Sequence, residues 1–160
     1  MKTRFVLHPI LLGLYPVLFA YAHNIDFAPP RGEIIVLLAL FGGCAALLCS
    51  ALTGMTGDLE KTAIGVSLFT VLFFSYGHLT KLIGVPLSEF RIFSLSFGEN
   101  RAPAFVWIAV VLIAARWLRN LSREGARTVT LVLNRAGLAL VLLVTLSLAT
   151  SVFTVQRTVA

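Results

Sequence analysis

Apolar residues dominate five stretches of the chain, and short polar segments separate them. Taken with a window of about 19 residues, they run over 5–25, 34–56, 62–82, 102–118 and 130–156. The third and fifth are rich in Val, Ile and Thr, which in water favours strands. In hydrocarbon the backbone must satisfy its own hydrogen bonds within the segment, so such runs become helices. The pattern predicts an all-α, polytopic bundle of about five transmembrane helices in a single domain over residues 1–160. The fourth stretch is the shortest. Its uncharged part, Ala102 to Ala115, rises only about 21 Å, so it spans only if Arg116 and Arg119 snorkel to the interface beside Trp117.

Composition points the same way. The 160 residues are 58% hydrophobic and 12% charged, with a mean hydropathy of +0.93, whereas soluble domains carry about 25% charged residues. Too little polar surface exists to cover a water-soluble globule. A soluble enzyme, a disordered chain and a disulfide-stapled module are excluded. The first stretch also reads as a secretory signal, with Lys2 and Arg4 before an apolar core and Ala20-Tyr21-Ala22 as a cleavage site, but its length of about 21 residues favours a full span.

Charge sets the orientation. Lys2, Arg4, Lys61, Arg116, Arg119, Arg123, Arg127 and Arg135 fall on one side of the spans; Arg31, Lys81, Arg91, Arg101 and Arg157 fall on the other. The richer side is expected to be cytoplasmic, which puts the N-terminus inside and the C-terminus outside. The net charge of +6 lies between apolar runs, so anionic lipid headgroups, not nucleic acid, are the expected partner. Between the third and fourth spans, Val85 to Asn100 carries Pro86, Phe90, Phe93 and Phe97, the composition of a segment lying on the outer bilayer surface.

Several residues are candidates for function. Arg116, Arg119, Arg123 and Arg127 are spaced by three, four and four, which keeps them along one helix face. They read as a stripe for anionic lipid or a partner, or as the solvated end of a fourth helix that continues past the membrane. Arg135, beside Asn134, reads as an interfacial anchor or as a costly and therefore functional intramembrane charge. His23, Asn24, Tyr76 and His78 all fall at the outer interface. They read as a polar pocket for a lipid headgroup, as an interfacial belt needing no ligand, or as a metal site, for which two His without paired carboxylates are thin support. Gly42, Gly43, Ala45, Ala46 and Ser50 offer a small-residue face for close helix packing. Cys44 and Cys49 read as packing residues, and no cofactor motif occurs.

His8-Pro9, Tyr15-Pro16-Val17-Leu18-Phe19 and His23-Asn24-Ile25 resemble the opening of certain bacterial multi-pass membrane proteins with a sulfatase-like domain. Phe73-Phe74-Ser75-Tyr76-Gly77-His78 is similar to a segment of the same group, and Leu133-Asn134 falls where those proteins place a Leu-Asn near the start of the last helix. The resemblance touches spans one, three and five. It implies about five helices followed by an extracytoplasmic domain of the alkaline-phosphatase superfamily. No such metal-binding domain lies within these 160 residues, so catalysis does not carry over. The expectation is a non-catalytic membrane subunit or scaffold in the bacterial inner membrane, contacting lipids and other membrane subunits. Two alternatives stand beside it: a domain presenting lipid substrate to a separate extracytoplasmic hydrolase, and a small transporter or channel.

Overall fold

The computed structural model describes residues 5–24, 31–83, 91–92, 95–96 and 101–159. Five helices carry it: α1 (His8–His23), α2 (Arg31–Thr56), α3 (Leu59–Ile83), α4 (Arg101–Asn120) and α5 (Arg123–Val159). Between α3 and α4 a two-residue antiparallel pair joins β1 (Arg91–Ile92) to β2 (Leu95–Ser96), with Arg91 opposite Ser96. The rest of the expected interfacial segment from Val85 to Asn100, including Pro86, Phe90, Phe93 and Phe97, lies outside the described residues.

Local chemistry sets the boundaries. Pro9 occupies the first turn of α1, where its missing N–H costs nothing and its fixed φ suits a helix start. The helix therefore begins at His8, three residues later than the apolar run. Between α2 and α3 the chain reverses over two residues. Gly57 adopts φ +69°, the left-handed conformation that ends helices, and donates its N–H to Thr53 O at 2.8 Å. Asp58 then caps α3, its Oδ1 accepting the Lys61 N–H at 3.1 Å.

The contacts fix the helix directions. Gly13 of α1 abuts Phe41 and Ala45 of α2, while Gly42 abuts Leu14 and Ile10, so the two helices pack closely at this level. Phe41 meets Phe74 and Thr56 meets Thr62, so α2 and α3 are antiparallel as well. Gly65 faces Leu118 and Tyr76 faces Trp107, which makes α4 antiparallel to α3. Leu11 of α1 packs on Gly137, just beyond the His8–Asn134 contact, so α1 and α5 run parallel. Helix α1 is flanked by α2, α3 and α5, whereas α4 packs principally against α3.

The small-residue face of α2 divides. Gly42 and Ala45 are buried against α1, but Gly43 is only half-buried, with nothing near its Cβ position, and Ser50 is exposed.

Burial is inverted relative to a water-soluble domain. The most buried side chains include Ala63, Ala126, Ile64, Ser67, Thr130 and His8, while Leu47 (71%), Met55 (82%) and Ile113 (69%) stand exposed. Three helical stretches, Gly32–Thr56, Leu59–His78 and Arg123–Thr150, are long and apolar enough to cross a membrane. Helix α1, with 16 residues, and α4 are not among these three.

Candidate functional site

A polar node lies inside the bundle where α1 begins. With Gly, Ala, Ser and Thr facing one another, helix backbones approach closely. Here Ala63 and Ser67 of α3 and Ala126 and Thr130 of α5, each pair one turn apart, are all buried. His8 enters between these helices with no exposed surface, and its Nδ1 lies 2.6 Å from Ser67 Oγ.

The start of α1 needs external help. The first N–H groups of any helix lack intrahelical acceptors, and Leu7, at the cap position, offers no side-chain acceptor. Asn134 of α5 supplies one. Its Oδ1 accepts the N–H of Leu7 and of His8, both at 2.9 Å, and its Nδ2 donates to Phe5 O at 2.9 Å. A single side chain thus caps α1 from a helix more than a hundred residues away in sequence. Ser67 lies roughly 12 Å into α3 and Asn134 roughly 16 Å into α5 by helical rise, so α1 starts recessed within the bundle. Two buried polar atoms of the node, His8 Nε2 and Thr130 Oγ1, have no hydrogen-bond partner among the described residues.

Sequence reasoning picked out His8 and Asn134 only as parts of motifs. Spacing could have revealed the small faces, because Ala126, Thr130 and Asn134 recur every fourth residue, as do Ala63 and Ser67. That His8 and Asn134 share one site depends on helix directions, which spacing does not encode.

The four residues expected at the outer interface divide between two places. His23 Nδ1 bonds Phe19 O at 3.0 Å, its ring stacks on Phe19, and Asn24 Nδ2 donates to Ala20 O at 2.7 Å. Both therefore serve the exposed end of α1. Tyr76 turns instead toward α4, where its ring meets Trp107 edge-on at 6.3 Å. His78 is exposed. Level with Ser67, His8 sets the register between α1 and α3, so Tyr76 lies about 9 Å of rise short of His23.

Beside Tyr76 is an apolar cleft of about 450 Å³ lined by Phe73, Tyr76, Gly77, Trp107 and Ile108. One wall is pinned by Trp107, whose Nε1 donates to Leu72 O at 2.9 Å.

The arginine stripe is broken, which corrects the expectation of one continuous helix face. Arg116 and Arg119 lie on α4, and Arg123, Arg127 and Arg135 lie on α5, with Leu121 and Ser122 between the helices. Ser122 accounts for the break. Its Oγ accepts the Gly125 N–H at 3.0 Å, and Glu124 sits in the first turn of α5; a capping Ser followed by an acid is a helix start. All five arginines are exposed. Arg127 approaches Glu60 at 3.8 Å, and Lys61 Nζ reaches Arg119 O at 3.5 Å, which gathers the starts of α3 and α5 and the end of α4 at one basic end of the bundle.

Among the described residues no cluster of three or more His, Cys, Asp or Glu is placed to hold a metal ion, and Cys44 and Cys49 are free. No protein-family model, no curated protein and no solved structure matches the chain.

Proposed function

We propose that this chain is a non-catalytic, five-helix integral membrane module acting as a subunit or scaffold of a larger assembly in the bacterial inner membrane. In this reading all five helices cross, the basic end of the bundle faces the cytoplasm, and the C-terminus is extracytoplasmic. The inverted burial carries the reading: among the described residues, small and polar side chains share the interior with a few apolar ones such as Ile64, while many Leu, Ile, Val and Phe side chains cover the outside. Exposed apolar surface on this scale calls for lipid or for other membrane helices. Helices α1, α3 and α5 run one way and α2 and α4 the other, as alternating crossings require. At 16 residues α1 is short for a span, and its flanking helices meet its recessed start with protein groups.

The polar node supports a scaffold. Its hydrogen bonds join α1 to α3 and α5 internally, and His23 and Asn24 bond within their own helix. The aromatic cleft between α3 and α4 favours a second reading, a domain that holds lipid for a hydrolase acting in trans, as the likeness to sulfatase-like membrane proteins suggests.

Two measurements test the proposal. With Cys44 and Cys49 replaced, Ser122→Cys in the α4–α5 turn is labelled only from the cytoplasmic side; labelling from outside overturns the orientation. Gentle detergent extraction from native membranes co-purifies stable partners. A monodisperse monomer free of other chains overturns the subunit role.

A further inference from the structure

We propose that the polar node binds an internal water molecule, hydrogen-bonded to His8 Nε2 and Thr130 Oγ1, that ties α1 to α5 one helical turn before the Asn134 cap. The site lies within the bundle and is independent of the subunit role. Both atoms are buried polar groups without a hydrogen-bond partner among the described residues, on residues that are 0% and 3% exposed. A buried donor or acceptor left unpaired bears its full desolvation cost. Buried waters serve such groups, making about three hydrogen bonds each.

Helix directions bring the two residues to one level. Asn134 Oδ1 accepts the His8 N–H at 2.9 Å, and Thr130 lies one turn, about 6 Å of rise, before Asn134. Side chains of a helix lean toward its N-terminus, and α1 runs parallel to α5, so the His8 ring hangs toward the level of Thr130. Its Nδ1 lies 2.6 Å from Ser67 Oγ. If Nδ1 donates in that pair, Nε2 is an acceptor; if Ser67 donates, Nε2 is a donor. Water serves either need. The hydroxyl of Thr130 also differs from its counterparts. Thr70, Thr128 and Thr145 each donate to the carbonyl four residues back, whereas Thr130 Oγ1 does not engage Ala126 O. That hydroxyl, and the second lone pair of the Ala126 carbonyl, supply the remaining bonds of the water.

The surroundings restrict the occupant. Ala63 and Ala126 have no exposed surface and Ile64 has 1%, so neither a headgroup nor an acyl chain reaches these atoms. The described residues gather no metal-holding cluster of His, Cys, Asp or Glu, which sets a cation aside. A small, uncharged molecule that both donates and accepts is what the pair calls for.

Histidine labelling provides the test. The chain has three histidines, and His23 and His78 are exposed, so a parent protein carrying His23→Gln and His78→Gln reports on His8 alone. The full chain is prepared in detergent micelles with ring-¹³C,¹⁵N-labelled histidine in a deuterated background, at about pH 8, above the ordinary histidine pKa of about 6.5. Magnetisation transfer from water to the ring protons Hδ2 and Hε1, which flank Nε2, is measured by NMR together with the position of the Nε2 line. The expected result is a water cross-peak in the parent protein that falls at least twofold in Thr130→Val, which keeps the side-chain shape. It returns in Thr130→Ser, which keeps the hydroxyl, and the Nε2 line shifts with the loss. A parent protein without the cross-peak has a dry node and overturns the proposal. A cross-peak that Thr130→Val leaves unchanged reports water that Thr130 does not hold, and overturns it equally. An Nε2 line displaced as by a hydrogen bond, with no water cross-peak, means that a protein group reaches the ring directly and excludes the water.

Discussion

Replacing Asn134 with Leu removes the cap on α1 while keeping the branched shape and heavy-atom count of the side chain. Three hydrogen bonds of 2.9 Å disappear, two from the N–H groups of Leu7 and His8 and one to Phe5 O. Hydrogen bonds between helices in a membrane contribute about 0.6 kcal/mol each on average, and loss of a helix cap in soluble proteins costs about 0.5–2 kcal/mol. Three bonds of this kind sum to about 2 kcal/mol. The half-buried position of Asn134 lets water meet part of the loss, and the zero exposure of His8 beside it limits that relief. At about 1.4 kcal/mol per decade, the folded-to-unfolded ratio falls roughly 30-fold. Unfolding by SDS titration in mixed micelles, followed by far-UV circular dichroism, reads this directly. A loss under about 0.5 kcal/mol, the usual range of an inconsequential surface change, refutes the claim that α1 depends on a cap from α5.

Other perturbations separate the remaining contributions. Ser67→Ala strands a ring nitrogen of His8 in the interior and costs about 1–3 kcal/mol; the same change made on His8→Phe costs less than half as much if the two side chains act as a pair, which a double-mutant cycle in the same titration measures. Gly13→Ala brings a Cβ to 3.1 Å from Phe41 O, a backbone atom that cannot swing away, and lowers stability by about 1–3 kcal/mol. Gly43→Ala meets nothing and gains up to about 1 kcal/mol of helix propensity; equal effects from the two glycines would contradict the α1–α2 packing. Glu60→Gln breaks the 3.8 Å contact with Arg127, whose side chain is 58% exposed, and changes stability by less than about 1 kcal/mol.

Helix content was legible because it follows from solvent. Long apolar runs in hydrocarbon have no other way to satisfy their backbones, so the β-branched runs of α3 and α5 are helical despite their propensity. The two ends of the arginine stripe were misread because periodicity alone cannot register a break that one hydroxyl makes: Ser122 stops the pattern without disturbing the three-and-four spacing. The pocket expected from His23, Asn24, Tyr76 and His78 came from interface level alone. Level says nothing of azimuth, and the ring of Tyr76 points to α4 while the bonds of His23 and Asn24 close on α1. The node was harder still to see. His8 and Ser67 are 59 positions apart and His8 and Asn134 are 126 apart, and neither pair has a local pattern.

The node also explains how α1 can be short. A helix of 16 residues covers about 24 Å, short of the roughly 30 Å of a hydrocarbon core, whereas the 37 residues of α5 cover about 55 Å. Standing alone in lipid, α1 would leave the unpaired N–H groups of its first turn in contact with hydrocarbon, at several kcal/mol for each group. Set among longer neighbours, it begins where Ser67 and Asn134 supply oxygen atoms, and its brevity costs little. Polar residues on a mostly apolar chain then gather where a short helix must start, between α3 and α5. The position of Asn134 along α5 fixes how deep α1 sits, so moving the asparagine one turn, in an Asn134→Leu and Leu138→Asn double substitution, cannot restore the cap. Recovery of wild-type stability by that double substitution would mean that α1 is free to slide, and that its recess is not set by the hydrogen bonds.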